Sequence, residues 1–126
     1  MITIDPDVFG TYGEYGLAHE VFVVTGTLDM AATTAVLLAL ERAAFRFMRV
    51  GEDGVERHDD EASGLGIYTP NYVSDPRVTE QGVVQYVDCK GEIGSPMDAA
   101  LRRVLQEELG GLDVDARVSV VTDQLS

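Results

Sequence analysis

The chain has 126 residues, of which 45% are hydrophobic, so it is long enough for one domain with one hydrophobic core. Its formal net charge is −13, from 22 acidic and 9 basic residues, and this charge would repel nucleic acids and anionic membranes. We therefore predict a single domain over residues 1–126 that binds neither. The acidic excess favours a basic protein surface as its partner, or simply gives the protein high solubility.

The use of cysteine and the absence of long apolar runs predict a cytoplasmic protein. Cys89 is the only cysteine, so the chain can form neither an internal disulfide nor a multi-cysteine zinc site. The N-terminal residues MITIDPDVFG lack the charged and then apolar pattern of a signal peptide. The longest apolar run, residues 35–40, is far shorter than the ~20 residues that a membrane-spanning helix needs.

The first part of the chain predicts an arm, a strand and a helix. Residues 1–18 begin with a short β-like ITI and continue as an irregular arm rich in Gly and Tyr. Residues 20–28 are β-branched or aromatic and apolar on both faces, which is typical of a central strand. Asp29 can cap a helix over about residues 30–44, and this helix is apolar nearly all round. Either its exposed positions are alanines, which water tolerates, or its outer face contacts something, such as a second subunit.

The middle of the chain predicts a second strand, a hairpin turn, a long loop and a third strand. FRFMRV, residues 45–50, is predicted to be a strand that a GEDG turn connects to a return arm, VERH. Residues 59–77 contain two glycines and two prolines that break any regular element, which predicts a long irregular loop. Residues 82–89, GVVQYVDC, predict the third strand.

The last part of the chain predicts a helix and a final strand. In SPMDAALRRVLQEELGG, Ser95 is the expected cap, Pro96 takes the first helical position and Asp98 completes a capping box. Gly110 is expected to end this helix. Residues 114–121 alternate between apolar and polar, which predicts a strand with one wet face at a sheet edge.

The predicted order of elements is strand, helix, strand or hairpin, strand, helix, strand, which is the split βαβ arrangement called ferredoxin-like. We therefore predict an α+β, ferredoxin-like split βαβ sandwich with a four- to five-stranded antiparallel sheet and two helices on one face. Residues 21–24 and 83–87 should lie side by side in the middle of that sheet. The second sheet face then needs a cover: a second subunit, the arm and long loop, or a ligand.

ERHDDEASG, residues 56–64, most resembles a chemical site, because carboxylates surround His58. An EF-hand would need a closing Glu that is absent, and zinc or iron would need several nitrogen or sulfur ligands. His19, His58 and Cys89 have no suitable spacing, so we predict no metal and no cofactor. The segment is interpreted as a solvated acidic loop in which the carboxylates favour the charged form of His58. The acidic run predicts a partner-binding surface formed by Glu52, Asp53, Glu56, Asp59, Asp60 and Glu61.

Two further sets of residues are candidates for chemistry. His19 and Glu20 open the first central strand and can form an acid–base pair, with Asp88 on the other central strand orienting an imidazole. Neighbouring strand residues point to opposite faces, however, so His19 and Glu20 cannot easily serve one pocket, and a polar strand start is the simpler interpretation. Tyrosines of the irregular segments can cover the core, form an interface or line a ligand pocket. These tyrosines are Tyr12, Tyr15, Tyr68 and Tyr72.

Two functions from different classes follow from these observations. The first is a small, acidic, non-catalytic binding protein of the immunity or regulatory type, which docks a basic protein partner. The second is a cofactor-independent enzyme or small-ligand-binding protein, built as a dimer with a pocket between the sheet and the long loop. A homodimer would form through the open sheet face or the apolar first helix. A purely structural subunit is the third alternative.

Overall fold

The computed structural model describes residues 1–6, 8, 19–26, 28–51, 53–57, 72–88 and 94–122. Within these residues the chain forms six strands and two helices, and the predicted α+β class is confirmed. The strands are β1 (Ile2–Ile4), β2 (His19–Thr25), β3 (Tyr72–Val73), β4 (Arg77–Thr79), β5 (Gly82–Asp88) and β6 (Ala116–Thr122). The helices are α1 (Met30–Phe47), between β2 and β3, and α2 (Pro96–Leu109), between β5 and β6.

The strands form one mixed sheet in the order β1-β6-β2-β5-β3, and β4 also pairs with β5. β2 pairs antiparallel with β5, and Val21 lies opposite Tyr86 while Val23 lies opposite Val84. β2 also pairs with β6, so β2 and β5 both have neighbours on each side. The prediction that these two apolar segments form the middle of one sheet is confirmed.

The edge at β1 differs from the prediction. β1 pairs in parallel with β6, so the all-antiparallel sheet was wrong, and the whole order differs from a four-stranded ferredoxin-like sheet. β6 is therefore not an edge strand, because β1 occupies its outer side. The backbone N–H of Asp5 donates to Val118 at 3.0 Å, and Arg117 Nε donates to the Asp5 carboxylate at 2.5 Å. These contacts hold β1 in place, and nothing in its three-residue sequence indicated its partner.

The strand predicted for residues 45–50 is wrong, because α1 continues through Phe47. Leu40, Ala43 and Phe47 are fully buried and follow each other at helical spacing, so Phe47 completes the stripe that faces the core. The two phenylalanines of FRFMRV are two residues apart, which is also the spacing of side chains on one face of a strand. Of the predicted hairpin, the residues described here form a single bridge, between Val50 and Glu56.

The loop predicted for residues 59–77 contains β3 and the first residue of β4. Val73 lies opposite Val87 and Arg77 lies opposite Val84, so both short strands pair along β5. They occupy the side of β5 that faces away from β2. Pro76 lies between β3 and β4, and a proline cannot donate to a sheet ladder, which keeps each piece short. Residues 58–71 lie outside the described part of the chain.

Both helices begin as predicted. The Asp29 side chain accepts a hydrogen bond from the Ala32 backbone N–H at 2.7 Å. Ser95 Oγ accepts from the Asp98 N–H at 3.2 Å, and Pro96 takes the first position of α2. The Asp98 carboxylate accepts from the Gly94 N–H at 3.0 Å. It therefore reaches one residue further back than a capping box requires.

The core lies between the two helices and one face of the sheet, which we call the covered face. Phe22 and Val24 of β2 belong to this face, and the Phe22 ring lies 6.5 Å from the Phe47 ring of α1. Apolar residues of α1 and α2 pack into the same cluster. The opposite side of the sheet, where Val21 and Val23 lie, is called the second face below.

Candidate functional site

Asp53, in the acidic segment, is held by an internal ion pair. Arg57 donates to its carboxylate from Nη2 at 2.7 Å and from Nη1 at 3.0 Å, and the Val55 N–H donates at 3.1 Å. The hydrogen bonds from Arg57, followed by the one from Val55, lower the pKa of Asp53 to about 2. The carboxylate is therefore ionised at physiological pH, but its charge already has a partner.

Glu56 is engaged in the same way by Arg46 of α1. Nε and Nη2 of Arg46 approach the two carboxylate oxygens of Glu56 at 2.9 and 2.8 Å, which is a bidentate pair. Nη2 also lies 3.4 Å from Glu107, and Nη1 lies 4.0 Å from Glu108, both on α2. The hydrogen bonding with Glu56 is the main cause that raises the pKa of Arg46 above its already high ordinary value. This guanidinium therefore connects α1, α2 and the segment after α1.

The predicted partner-binding surface is thus divided. Asp53 and Glu56 form intramolecular ion pairs, so they contribute little net charge to an approaching partner. The remaining predicted acids lie outside the described residues: Glu52, Asp59, Asp60 and Glu61.

We expect the substitution Arg57→Gln to return the Asp53 pKa towards its ordinary value of about 4, because the first cause of the lowering is removed. A lowered folded pKa stabilises the protein above the unfolded pKa, and this contribution is lost as pH falls from about 4 to about 2. An NMR titration of the Asp53 carboxyl carbon measures this pKa in the unaltered protein and in the variant. Arg103→Gln, on α2, serves as the control and should leave the midpoint unchanged. A midpoint near 4 in the unaltered protein would contradict the ion pair.

Most arginines of the chain form ion pairs or hydrogen bonds with other residues of the same chain. Arg102 donates to the backbone carbonyls of Pro6 and Val8, and Arg117 pairs with Asp5. The arginines with an ion pair or hydrogen bond to described residues are Arg42, Arg46, Arg49, Arg57, Arg102 and Arg117. Eight of the nine basic residues are arginines, and six of these eight therefore already contact acids or carbonyl groups of the protein itself.

Several exposed carboxylates, by contrast, form no ion pair within the described ranges. They are Glu41, Asp75, Glu80 and Asp113. These carboxylates therefore add uncompensated negative charge to the described surface of a chain whose net charge is −13. Such a surface attracts cationic partners over distances up to about a Debye length, ~8–10 Å at physiological salt.

The outer side of α1 carries exposed apolar side chains, as its composition predicted. Leu38 is 49% exposed and Phe45 59%, and both lie on the side of the helix opposite the buried stripe, while Met48, the residue that caps the end of α1, is 47% exposed. The Arg49 guanidinium carbon lies 4.3 Å from the centre of the Phe45 ring, a cation–π arrangement. A shallow groove of about 390 Å³, lined by Phe45 and Glu108 among others, runs beside this ring. A second subunit on this surface stays a prediction.

The backbone brings together three of the predicted site positions on the second face. His19 lies opposite Asp88 in the pairing of β2 with β5, and Tyr72 lies opposite Asp88 in the pairing of β3 with β5. Directly opposite positions in antiparallel strands belong to one sheet face, so these positions form one row. Glu20 lies opposite Val87, on the other face. Tyr12, Tyr15 and Tyr68 are outside the described residues.

A cavity of about 270 Å³ lies on the second face, one row along from these positions. Its described lining consists of Val21, Ser74, Asp75, Arg77, Val84 and Tyr86. Val21 and Tyr86 are each two positions along their strand from the His19–Asp88 row, a separation of roughly 7 Å. Ser74 forms its rim: its N–H donates to the Tyr86 carbonyl at 3.0 Å, and its Oγ accepts from the Tyr86 N–H at 3.0 Å.

The sequence interpretation did not single out Asp75 or Arg77, because both fall in the stretch predicted to be a loop, residues 59–77. The letters SDPR do show an acid and a base two residues apart. This spacing indicates a shared site only when the pairing of β4 with β5 beside Val84, and the cavity that both residues line, are known.

Within the residues described, no group of three or more His, Cys, Asp or Glu side chains is placed to hold a metal ion. None of the helices found there has the length and hydropathy needed to cross a membrane. His58 and Cys89 are outside the described ranges. Comparison of the chain with protein-family models, with curated proteins and with solved structures finds no match.

Proposed function

We propose that the protein is a small, acidic, non-catalytic binding protein that docks a basic protein surface, in an immunity-type or regulatory role. One observation carries the proposal: six of the eight arginines contact groups of the protein itself, and several exposed carboxylates of the described residues form no ion pair, in a chain with a net charge of −13. Uncompensated charge of one sign accelerates encounter with a partner of the opposite sign and disfavours partners of the same sign.

Salt dependence tests this function. The purified full-length chain, immobilised, is incubated with native lysate at low and at high ionic strength. We expect a basic protein to be retained at low salt and released at high salt, because added ions screen the attraction. Retention of no basic protein at low salt, or retention that is indifferent to salt, would remove the proposal.

Paired charge variants locate the docking surface on the partner so identified. Asp59→Asn with Asp60→Asn neutralises two predicted contact acids, and Glu80→Gln with Asp113→Asn changes the net charge equally elsewhere. We expect the first pair to weaken binding about three- to tenfold, since each lost charge contact is worth up to ~1 kcal/mol. The second pair should have a clearly smaller effect. Equal effects of the two pairs would place the docking surface outside the acidic run.

The cavity on the second face favours a second candidate function, a small-ligand-binding protein or cofactor-independent enzyme. Ligand sites combine an apolar floor with a few polar groups, and this cavity has both. The backbone register places His19 opposite Asp88 in the adjoining row, and these two residue types are suited to acid–base chemistry. His19→Gln is the test. It should abolish turnover of any substrate found for the cavity and leave binding to a basic protein unchanged.

We also propose a cytoplasmic location, because a chain with a single cysteine forms no internal disulfide and so gains nothing from an oxidising compartment.

A homodimer through the outer side of α1 is proposed from the exposure of Leu38, Phe45 and Met48. Leu38→Ser with Phe45→Ser should convert a dimer to a monomer in light scattering at several concentrations. An unaltered protein that is monomeric at every concentration would contradict the dimer.

A further inference from the structure

Two opposite charges line the cavity on the second face without neutralising each other. Asp75 and Arg77 are both exposed, both line the cavity, and form no ion pair with each other or with another residue in the described part of the chain. They are two residues apart with Pro76 between them, and the lining of one cavity places them together. This arrangement differs from that of the other arginines near acids, such as Arg46 and Arg57, which close on their partners.

The floor between these charges is apolar. Val84 is buried, Val21 and Tyr86 are half-buried, and Arg77 lies directly opposite Val84 in the pairing of β4 with β5. A ligand that used both charges would therefore place its body against valine side chains and an aromatic ring. The volume of about 270 Å³ limits that body to a small molecule.

The charge of the whole protein restricts the ligand further. A simple anion could pair with Arg77, but the chain carries −13 and would repel it at long range. A simple cation could pair with Asp75 and would leave Arg77 facing the ligand with like charge. A neutral molecule that carries one positive and one negative group avoids both penalties.

We propose that this cavity binds a small zwitterion of the α-amino acid class with an apolar side chain. The carboxylate pairs with Arg77, the ammonium group pairs with Asp75, and the side chain packs on Val21 and Val84. The inference rests on the second candidate function, the small-ligand-binding protein, and is independent of the basic partner.

Titration of the full-length protein with L-leucine tests the proposal, monitored by the NMR signals of the Val21 and Val84 methyl groups. Two matched probes each lack one charge: L-leucinamide has no carboxylate, and 4-methylpentanoate has no ammonium group. We expect L-leucine to bind at least about tenfold more tightly than either, because each charge-assisted contact is lost with its group. Glycine, which lacks the side chain, should bind more weakly as well.

Variants assign each charge to its residue. Arg77→Gln should weaken L-leucine about tenfold but should not weaken L-leucinamide, because it removes a charge of the same sign as that cation. Asp75→Asn should likewise weaken L-leucine but not 4-methylpentanoate. Both residues are exposed, so neither substitution threatens folding. Arg103→Gln and Asp113→Asn are the matched controls, and should leave all affinities unaltered.

The outcomes separate this inference from the function on which it rests. If the uncharged 4-methylpentanamide shifts the same methyl signals as strongly as L-leucine, the zwitterion proposal is overturned and the small-ligand function stands. If none of the probes shifts them, both are overturned. If L-leucine binds but Arg77→Gln and Arg103→Gln behave alike, the assignment of its carboxylate to Arg77 is overturned.

Discussion

Replacing Gln85 by glutamate is expected to destabilise the protein by about 3–5 kcal/mol at pH 7, a large part of the stability of a typical domain. Gln85 is fully buried on the covered face, and its Nε2 donates to the carbonyl oxygens of Leu40 at 3.0 Å and Ser74 at 3.3 Å. The substitution keeps the shape but points a carboxylate at two carbonyl oxygens. Both hydrogen bonds are lost, and a charge is buried without a partner.

The pH dependence identifies the cause. Burial raises the pKa of the introduced carboxyl group above its unfolded value of about 4.3. Stability should therefore approach that of the unaltered protein below pH 4, where the group is neutral in both states, and fall as pH rises through the folded pKa. Chemical denaturation at a series of pH values measures this difference.

Gln85→Met is the matched control for that experiment. Gln85 Oε1 is buried and has no hydrogen-bond partner among the described residues, so methionine removes an unsatisfied acceptor together with the two donated hydrogen bonds. The two effects oppose each other, and we expect a change of about 1 kcal/mol or less with no added pH dependence. Equal destabilisation by both substitutions at pH 7 would show that the loss of the hydrogen bonds, and not the charge, is responsible.

The fold was predictable where local pattern and tertiary contacts agree. β2 and β5 are apolar on both faces because both lie in the middle of the sheet. The capping residues of α1 and α2 accept hydrogen bonds from backbone N–H groups three residues further along, so the local sequence is enough to predict them. The end of α1 was not predictable, since Phe45 and Phe47 fit a strand or a helix equally well. Only the packing of Phe47 on Phe22 decides between them.

Long-range pairing explains the other differences. β1 and β6 are separated by more than a hundred residues, and the three residues of β1 carry no information about a parallel partner. β3 and β4 contain too few residues to show a period, and they form because the edge of β5 is available to them. An edge position depends on which strands are neighbours, so the alternation in β6 could not establish it.

The candidate site was predictable in composition but not in pairing. The acidic run is visible in the sequence. Nothing in the sequence indicated, however, that Arg46 of α1 forms an ion pair with Glu56 and that Arg57 forms one with Asp53. The row that joins His19 to Asp88 depends on the register of β2 against β5, which spacing along the chain does not contain. That Asp75 and Arg77 line one cavity likewise depends on the pairing of β4 with β5, which the sequence does not show.

Truncating Phe22 is expected to be as damaging as the buried charge, but without its pH dependence. Phe22 is fully buried and contacts the ring of Phe47 across the interface between β2 and α1. Phe22→Ala should lower the free energy of unfolding by about 3–5 kcal/mol, because it removes the apolar area and leaves a cavity that the fixed sheet cannot close. Denaturant unfolding measures the change.

Val78→Ala, in β4 of the same sheet, is the control for this truncation. Val78 is 59% exposed although Val83, directly opposite it in β5, is buried, so its loss should change stability by no more than about 0.5 kcal/mol. The contrast tests whether the helices cover the centre of the face that carries Phe22 and stop short of its edge. If the two truncations had equal effects, either the core would not lie over Phe22 or the edge at β4 would be packed against something else. In the second case a partner at that edge would have to be considered before any ligand in the adjoining cavity.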